Sequence, residues 1–229
     1  MQSAVATKER RTNADVVFEH LRDEIESLRL PPGSKISEAE IATKLGISRQ
    51  PVREAFGRLD NQGLVLIRPQ KATVVKKFSM QRISGSRFVR LAVELEILNK
   101  ALTHWDGSLL PEMLDNIALQ KQAVQSEDVD LFHDLDFEFH RSISRAAQAE
   151  FAFESIEKSK AQVSRLCVLS LRTRDEMAEL VQDHEELVNM LGAKNSSGAF
   201  GVMRKHLSRL DETIQKIYFE HTDYFDKYT

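Results

Sequence analysis

No disulfide can form within this chain, because Cys167 is its only cysteine. That usage suits a reducing cytoplasm and leaves no thiolate cluster for a metal. Long apolar runs are missing as well. Nowhere does the sequence approach the roughly 20 residues that cross a bilayer, so no membrane partner is expected. Residues 1–12 are polar and charged, lack the apolar stretch of a signal peptide, and are expected to form a flexible N-terminus. Internal repeats, low-complexity tracts, a Gly-rich phosphate loop and a Gly-x-Ser-x-Gly elbow are all absent. What remains is a globular composition: 229 residues, 41% hydrophobic and 29% charged, at a net charge of −3. The length suits one large domain or two ordinary ones.

Charge is unevenly divided along it. Residues 1–78 carry 14 Lys and Arg against 10 Asp and Glu (+4), which leaves 18 against 25 (−7) for the remainder. A basic head on an acidic body is the electrostatic footprint of a polyanion binder, although an excess of four charges is modest.

The head has a legible order of elements. Val16, Val17, Leu21, Ile25 and Leu28 recur at helical spacing over 13–30, and Pro31-Pro32-Gly33 is expected to stop that helix. A second helix fits 38–45, with Ile41, Ala42 and Leu45 inward and Ser37 as its cap. Gly46 permits a tight turn, and Ser48 is placed to cap a third helix running to about Gln62. Leu64–Ile67 and Thr73–Val75 read as two strands around Arg68-Pro69-Gln70-Lys71. This order describes a winged helix-turn-helix over 13–78. From 79 to 229 strand signals vanish, and six helical stretches follow at about 80–105, 109–126, 128–147, 150–171, 174–192 and 197–222. The fold class is therefore mainly α: a winged helix-turn-helix followed by an all-α antiparallel bundle.

In a helix-turn-helix the second helix enters the major groove and its N-terminal residues reach base edges. Here those residues are Ser48, Arg49, Gln50 and Arg53. Arginine offers a bidentate fork to guanine or phosphate, and glutamine pairs bidentately with adenine. Solvated surface arginines are the competing reading, which a capped helix start after a glycine turn disfavours. The run Ser37-Glu38-x-Glu40-Ile41-Ala42-x-x-Leu45-Gly46-Ile47-Ser48-Arg49-x-Pro51-Val52-Arg53-Glu54-Ala55, with Arg58-Leu59 and Gly63-Leu64-Val65, resembles the head of GntR-type bacterial transcription regulators. The resemblance implies a double-stranded, pseudo-palindromic DNA operator and adds Arg58 to the candidate contacts. Relatives usually carry glycines at the wing tip, where this chain has Gln70-Lys71-Ala72; Lys71 remains a candidate phosphate contact.

In the bundle, Asp136 and His140 lie four apart and project from one helix face. His184 and His206 lie on two other expected helices. One carboxylate and three imidazoles from three helices make a donor set suited to Zn²⁺, Ni²⁺, Mn²⁺ or Fe²⁺. Four ordinary surface or half-buried side chains are the competing reading. The region after the head is similar to the FCD ligand-binding domain of the FadR branch, in its shorter VanR-like, six-helix form. That resemblance implies that Asp136, His140, His184 and His206 hold a divalent cation, Zn or Ni first. It also implies that Arg90, in Arg90-x-x-x-Glu94, faces an effector pocket; an intrahelical ion pair with Glu94 is the alternative. His133 matches no ligand of that family. Many relatives have Ser-Gly-Asn where this chain has Ala147-Gln148-Ala149. Arg165 and Arg172 are expected at the surface. Tyr218, Tyr224 and Tyr228, beside Phe219 and Phe225, are expected to pack on the bundle or on a partner subunit.

These expectations converge on a cytoplasmic, homodimeric transcription regulator, not an enzyme, that answers to a small carboxylate effector; the resemblance implies a repressor, as most relatives are, with activators also known. Two rivals are an all-α metal-dependent hydrolase, suggested by His133-Asp134, and a constitutive DNA-binding protein with a purely structural metal. The hydrolase leaves the head unexplained and finds no convincing general base.

Overall fold

The computed structural model describes residues 11–170 and 174–226. Arg172, Tyr228 and most of the expected N-terminal tail lie outside the described residues. The chain divides between Lys77 and Phe78 into two compact units.

In the first unit α1 (Asn13–Glu26), β1 (Lys35–Ile36), α2 (Glu38–Leu45), α3 (Arg49–Asn61), β2 (Val65–Leu66) and β3 (Thr73–Val75) follow one another. A capping box starts α1: the Thr12 hydroxyl accepts from Asp15 N–H while the Asp15 carboxylate accepts from Thr12 N–H. The helix ends at Glu26, four residues earlier than the periodicity predicts. Leu28 leaves it in the left-handed region, at φ 59°, so the chain turns before the prolines are reached. Val16 is exposed, whereas Val17, Phe18, Leu21 and Ile25 form the buried stripe. Gly46 closes α2 at φ 65°, a conformation glycine adopts freely. Ser37 and Ser48 occupy the N-cap positions of α2 and α3, but neither hydroxyl makes a capping bond. Leu45 is exposed rather than inward. The wing is an antiparallel hairpin in which Val65 faces Val75 and Leu66 faces Val74. A strand that periodicity missed, β1, pairs with the outer side of β3 to give the order β1-β3-β2. Two residues are too short to carry a pattern.

The second unit holds α4 (Met80–His104), α5 (Leu110–Ser126), α6 (Val129–Ala146), α7 (Glu150–Ser170), α8 (Arg174–Gly192) and α9 (Ser196–Glu220), then a short 3-10 turn. These six helices match the expected ones closely. Leu98 and Leu102 are buried, with Leu91 and Leu95 packed beside them, as a core stripe should be. The end of the chain returns to the start of this unit. Phe78 N–H donates to Tyr224 C=O, Asp226 N–H donates to Phe78 C=O, and the Phe78 and Phe225 rings lie 5.3 Å apart. Arg165 is buried, not at the surface, with its guanidinium 4.8 Å from the Phe78 ring centre. Phe219, by contrast, is exposed. No helix among the described residues is long and apolar enough to cross a membrane.

Candidate functional site

Two sites take shape, one in each unit. In the first, Val52, Ala55, Phe56 and Leu59 anchor α3 by one buried face. The opposite face therefore presents Ser48, Arg49, Gln50 and Arg53, all exposed. Arg49 and Arg53 stand one turn apart on it. The Arg53 guanidinium rests on Glu38 of α2, Nη2 to Oε2 at 3.1 Å, a partner that sequence reasoning did not single out. Arg58 is placed elsewhere. Its Nη1 donates to Asp15 Oδ1 at 2.8 Å and its guanidinium stacks 4.0 Å over Phe18, which commits it to packing α3 on α1. Lys71 is exposed at the wing tip, beside Gln70, which takes the left-handed conformation (φ 58°) that glycine would supply more readily.

The second site lies among α6, α8 and α9. His184 Nε2, His206 Nε2 and His140 Nε2 lie 3.4, 3.9 and 4.0 Å from Asp136 Oδ1. His140 Nε2 and His206 Nε2 are 3.0 Å apart. The four donor atoms fall within 4.8 Å of one another, with the imidazoles buried and the carboxylate half-buried. Each imidazole has a polar acceptor on its far side. His140 Nδ1 faces Glu94 Oε2 at 2.5 Å, His184 Nδ1 donates to Gln120 Oε1 at 2.8 Å, and His206 Nδ1 faces Asp183 Oδ2 at 3.7 Å. The Gln120 oxygen assigns the proton of His184 to Nδ1, and Glu94 draws that of His140 to Nδ1 as well, which turns both Nε2 lone pairs inward, whereas Asp183 is too distant to fix the tautomer of His206.

Such convergence is repulsive unless a shared proton or a cation lies between the rings, and burial disfavours a charged imidazolium there. Burial pushes His184 well below the usual histidine pKa, and the neighbouring His206 and His140 add to that. Burial also lowers His206, against the opposing pull of Asp183. Behind the rings, burial raises Glu94, but His140 and Arg90 outweigh it and hold its carboxyl far below the usual range. Asp183 is likewise raised by burial and lowered more by His206, Arg209 and Lys205. The donor set, three imidazole nitrogens and one carboxylate oxygen with carboxylate and amide oxygens around them, fits a borderline divalent cation.

A cavity of about 440 Å³ opens beside Asp136 and His206. Arg90 lines it while its Nε donates to Glu94 Oε1 at 2.5 Å, so the two sequence readings of Arg90 are compatible. His133, one turn before Asp136, lines it too. Sequence reasoning missed Glu94, Gln120 and Asp183 as supports for the imidazoles. Asp183 stands beside His184 in the chain yet supports His206, and nothing in the sequence marks Gln120.

Residues 13–75 match the family described as bacterial regulatory proteins, gntR family, and residues 87–209 match the FCD domain. The HTH-type transcriptional repressor RspR of Escherichia coli (strain K12) is 30% identical over 211 residues, covering 92% of each chain. Among solved structures, E. coli McbR/YncC has a TM-score of 0.70 at 20% identity, covering 90% of this chain and 99% of that one. A GntR regulator described as putative, from Rhodococcus sp. RHA1, has a TM-score of 0.70 at 22% identity, covering 91% and 100%. At such identities the structural likeness speaks for the fold.

Proposed function

Since the chain belongs to the GntR family of bacterial regulatory proteins and carries its FCD domain, we propose that a small carboxylate, bound beside a metal ion in the helical bundle, controls its affinity for operator DNA. The protein is a DNA-binding transcriptional regulator and not an enzyme. Asp136, His140, His184 and His206 are the residues that would hold the cation, Zn²⁺ or Ni²⁺ before Mn²⁺ or Fe²⁺. The bound ion would supply a Lewis-acidic anchor for a carboxylate oxygen. Arg90, on the same cavity wall, contributes a charge-assisted fork. In the head, Ser48, Arg49, Gln50 and Arg53 read the groove, and Lys71 meets a phosphate. A homodimer in the bacterial cytoplasm would set two heads on the half-sites of a pseudo-palindrome. RspR is named a repressor, and we assign the same sign here.

One observation carries the sensor reading: three Nε2 atoms and one carboxylate oxygen converge at the edge of a cavity that also holds Arg90. A purely structural metal would have no need of the cavity. The test is operator binding by fluorescence anisotropy, with metal-loaded and metal-stripped protein, across a panel of carboxylates. The reading requires an acid that weakens operator binding only in the metal-loaded protein. Equal operator affinity under every condition would leave the constitutive alternative.

A further inference from the structure

We propose that the cavity contains a second anion subsite, formed by Lys216 and Thr213, and that the effector is therefore a dianionic acid. This rests on the acid-sensor reading and narrows it. On α9, His206, Arg209, Thr213 and Lys216 follow at intervals of three, four and three, which places them on one helix face, and all four line the cavity. The face thus runs from a metal-type donor to a lysine.

Charge distinguishes Lys216 from the other cations of the wall. Arg87 is matched by Asp211, Arg90 by Glu94, Lys205 by Asp183, and Arg209 by Asp183 and Glu179. Lys216 has no acidic partner among the described residues. On the acid side of the wall, Asp136 belongs to the donor cluster, Glu179 to Arg209, and Glu176 is not without a partner of its own. A divalent cation adds further positive charge, so the occupant best suited to this wall carries more than one negative charge. Size agrees. A volume of about 440 Å³ falls within the ~300–1,000 Å³ range of small-molecule sites, and one carboxylate beside the cation leaves most of it unfilled. The second group is an anion of the carboxylate or phosphate kind, which a lysine meets as a point charge.

Calorimetry on the metal-loaded full chain tests this. The probes are straight-chain and 2-hydroxy dicarboxylates of three to six carbons, 3-phosphoglycerate, and monocarboxylates of the same lengths. At least one dianion should bind wild type about tenfold or more tighter than its monoanionic counterpart. Lys216→Ala should abolish that preference and Lys216→Arg should retain it, with melting temperatures unchanged because the side chain is exposed. The dicarboxylate and phosphate arms identify the second anion. Equal affinity for mono- and dianions, or a preference that survives Lys216→Ala, overturns the subsite. In that case, monoacids whose binding needs both metal and Arg90 leave the sensor reading standing. If no acid binds at all, both fall.

Discussion

Single side chains decide whether the bundle holds a metal. Replacing His140, His184 or His206 by Ala is expected to reduce metal content and to remove most of the melting shift on metal addition. At a free metal concentration a hundredfold above Kd, wild type gains about 2.7 kcal/mol, which for a bundle of this size is roughly 5–10 °C. Metal analysis of purified protein with differential scanning fluorimetry reads both, and a wild type unmoved by Zn²⁺, Ni²⁺ and Mn²⁺ contradicts the site. The pH dependence has a definite sign. Burial depresses the pKa of His184 and His206, so the unfolded chain binds protons first as pH falls. Stability from these two groups is complete above the ordinary histidine pKa of 6.5 and is lost as pH falls through their lowered folded values. Metal binding weakens in the same direction, since coordination requires neutral imidazole.

At the scale of elements, α3 has two faces with separate tasks. Arg49→Ala together with Arg53→Ala is expected to abolish operator recognition while leaving the melting point near wild type, since each good base contact contributes about 1–3 kcal/mol. Operator affinity within twofold of wild type would refute the assignment. Arg58→Ala behaves differently. Loss of the Asp15 ion pair and of the stack on Phe18 should cost about 1 kcal/mol of head stability, seen in urea unfolding, while the salt dependence of operator binding is unchanged. Asp15 is held at about 2, first by the Thr12 backbone, then by its hydroxyl and by Arg58. The stability it lends is present above 3.8 and fades as pH falls through that lower value. Helix ends show a related economy. Gln148 takes φ 52° after α6, a conformation glycine adopts freely. Gln148→Gly should raise stability by about 0.5–1 kcal/mol, relief of the left-handed cost exceeding the entropy that glycine adds to the unfolded chain.

For the molecule as a whole, the functional claim is a coupling between two separately folded units. Acid and operator must change each other's affinity by the same factor. Calorimetry of the acid with free and operator-bound protein, set against anisotropy with and without acid, should return one number. An acid that binds in calorimetry and leaves operator affinity untouched would separate the bundle from regulation. Arg90→Ala should weaken the acid about ten- to a hundredfold and leave acid-free operator binding near wild type.

Local pattern determined most of the architecture. The six bundle helices, the helix-turn-helix and the hairpin were legible because apolar periodicity and glycine or proline breaks are properties of adjacent residues. The pair Asp136 and His140 was legible for the same reason, a spacing of four on one helix. Tertiary structure decided what adjacency does not encode. It turned Arg58 toward α1, because Phe18 and Asp15 offered a closer partner than solvent. It paired β1, only two residues long, with β3. It set Glu94, Gln120 and Asp183 behind imidazoles up to 64 residues distant in the chain, as with Gln120 and His184. These contacts come from helices packing across a shared core, and a buried ring nitrogen must find an acceptor wherever that packing supplies one.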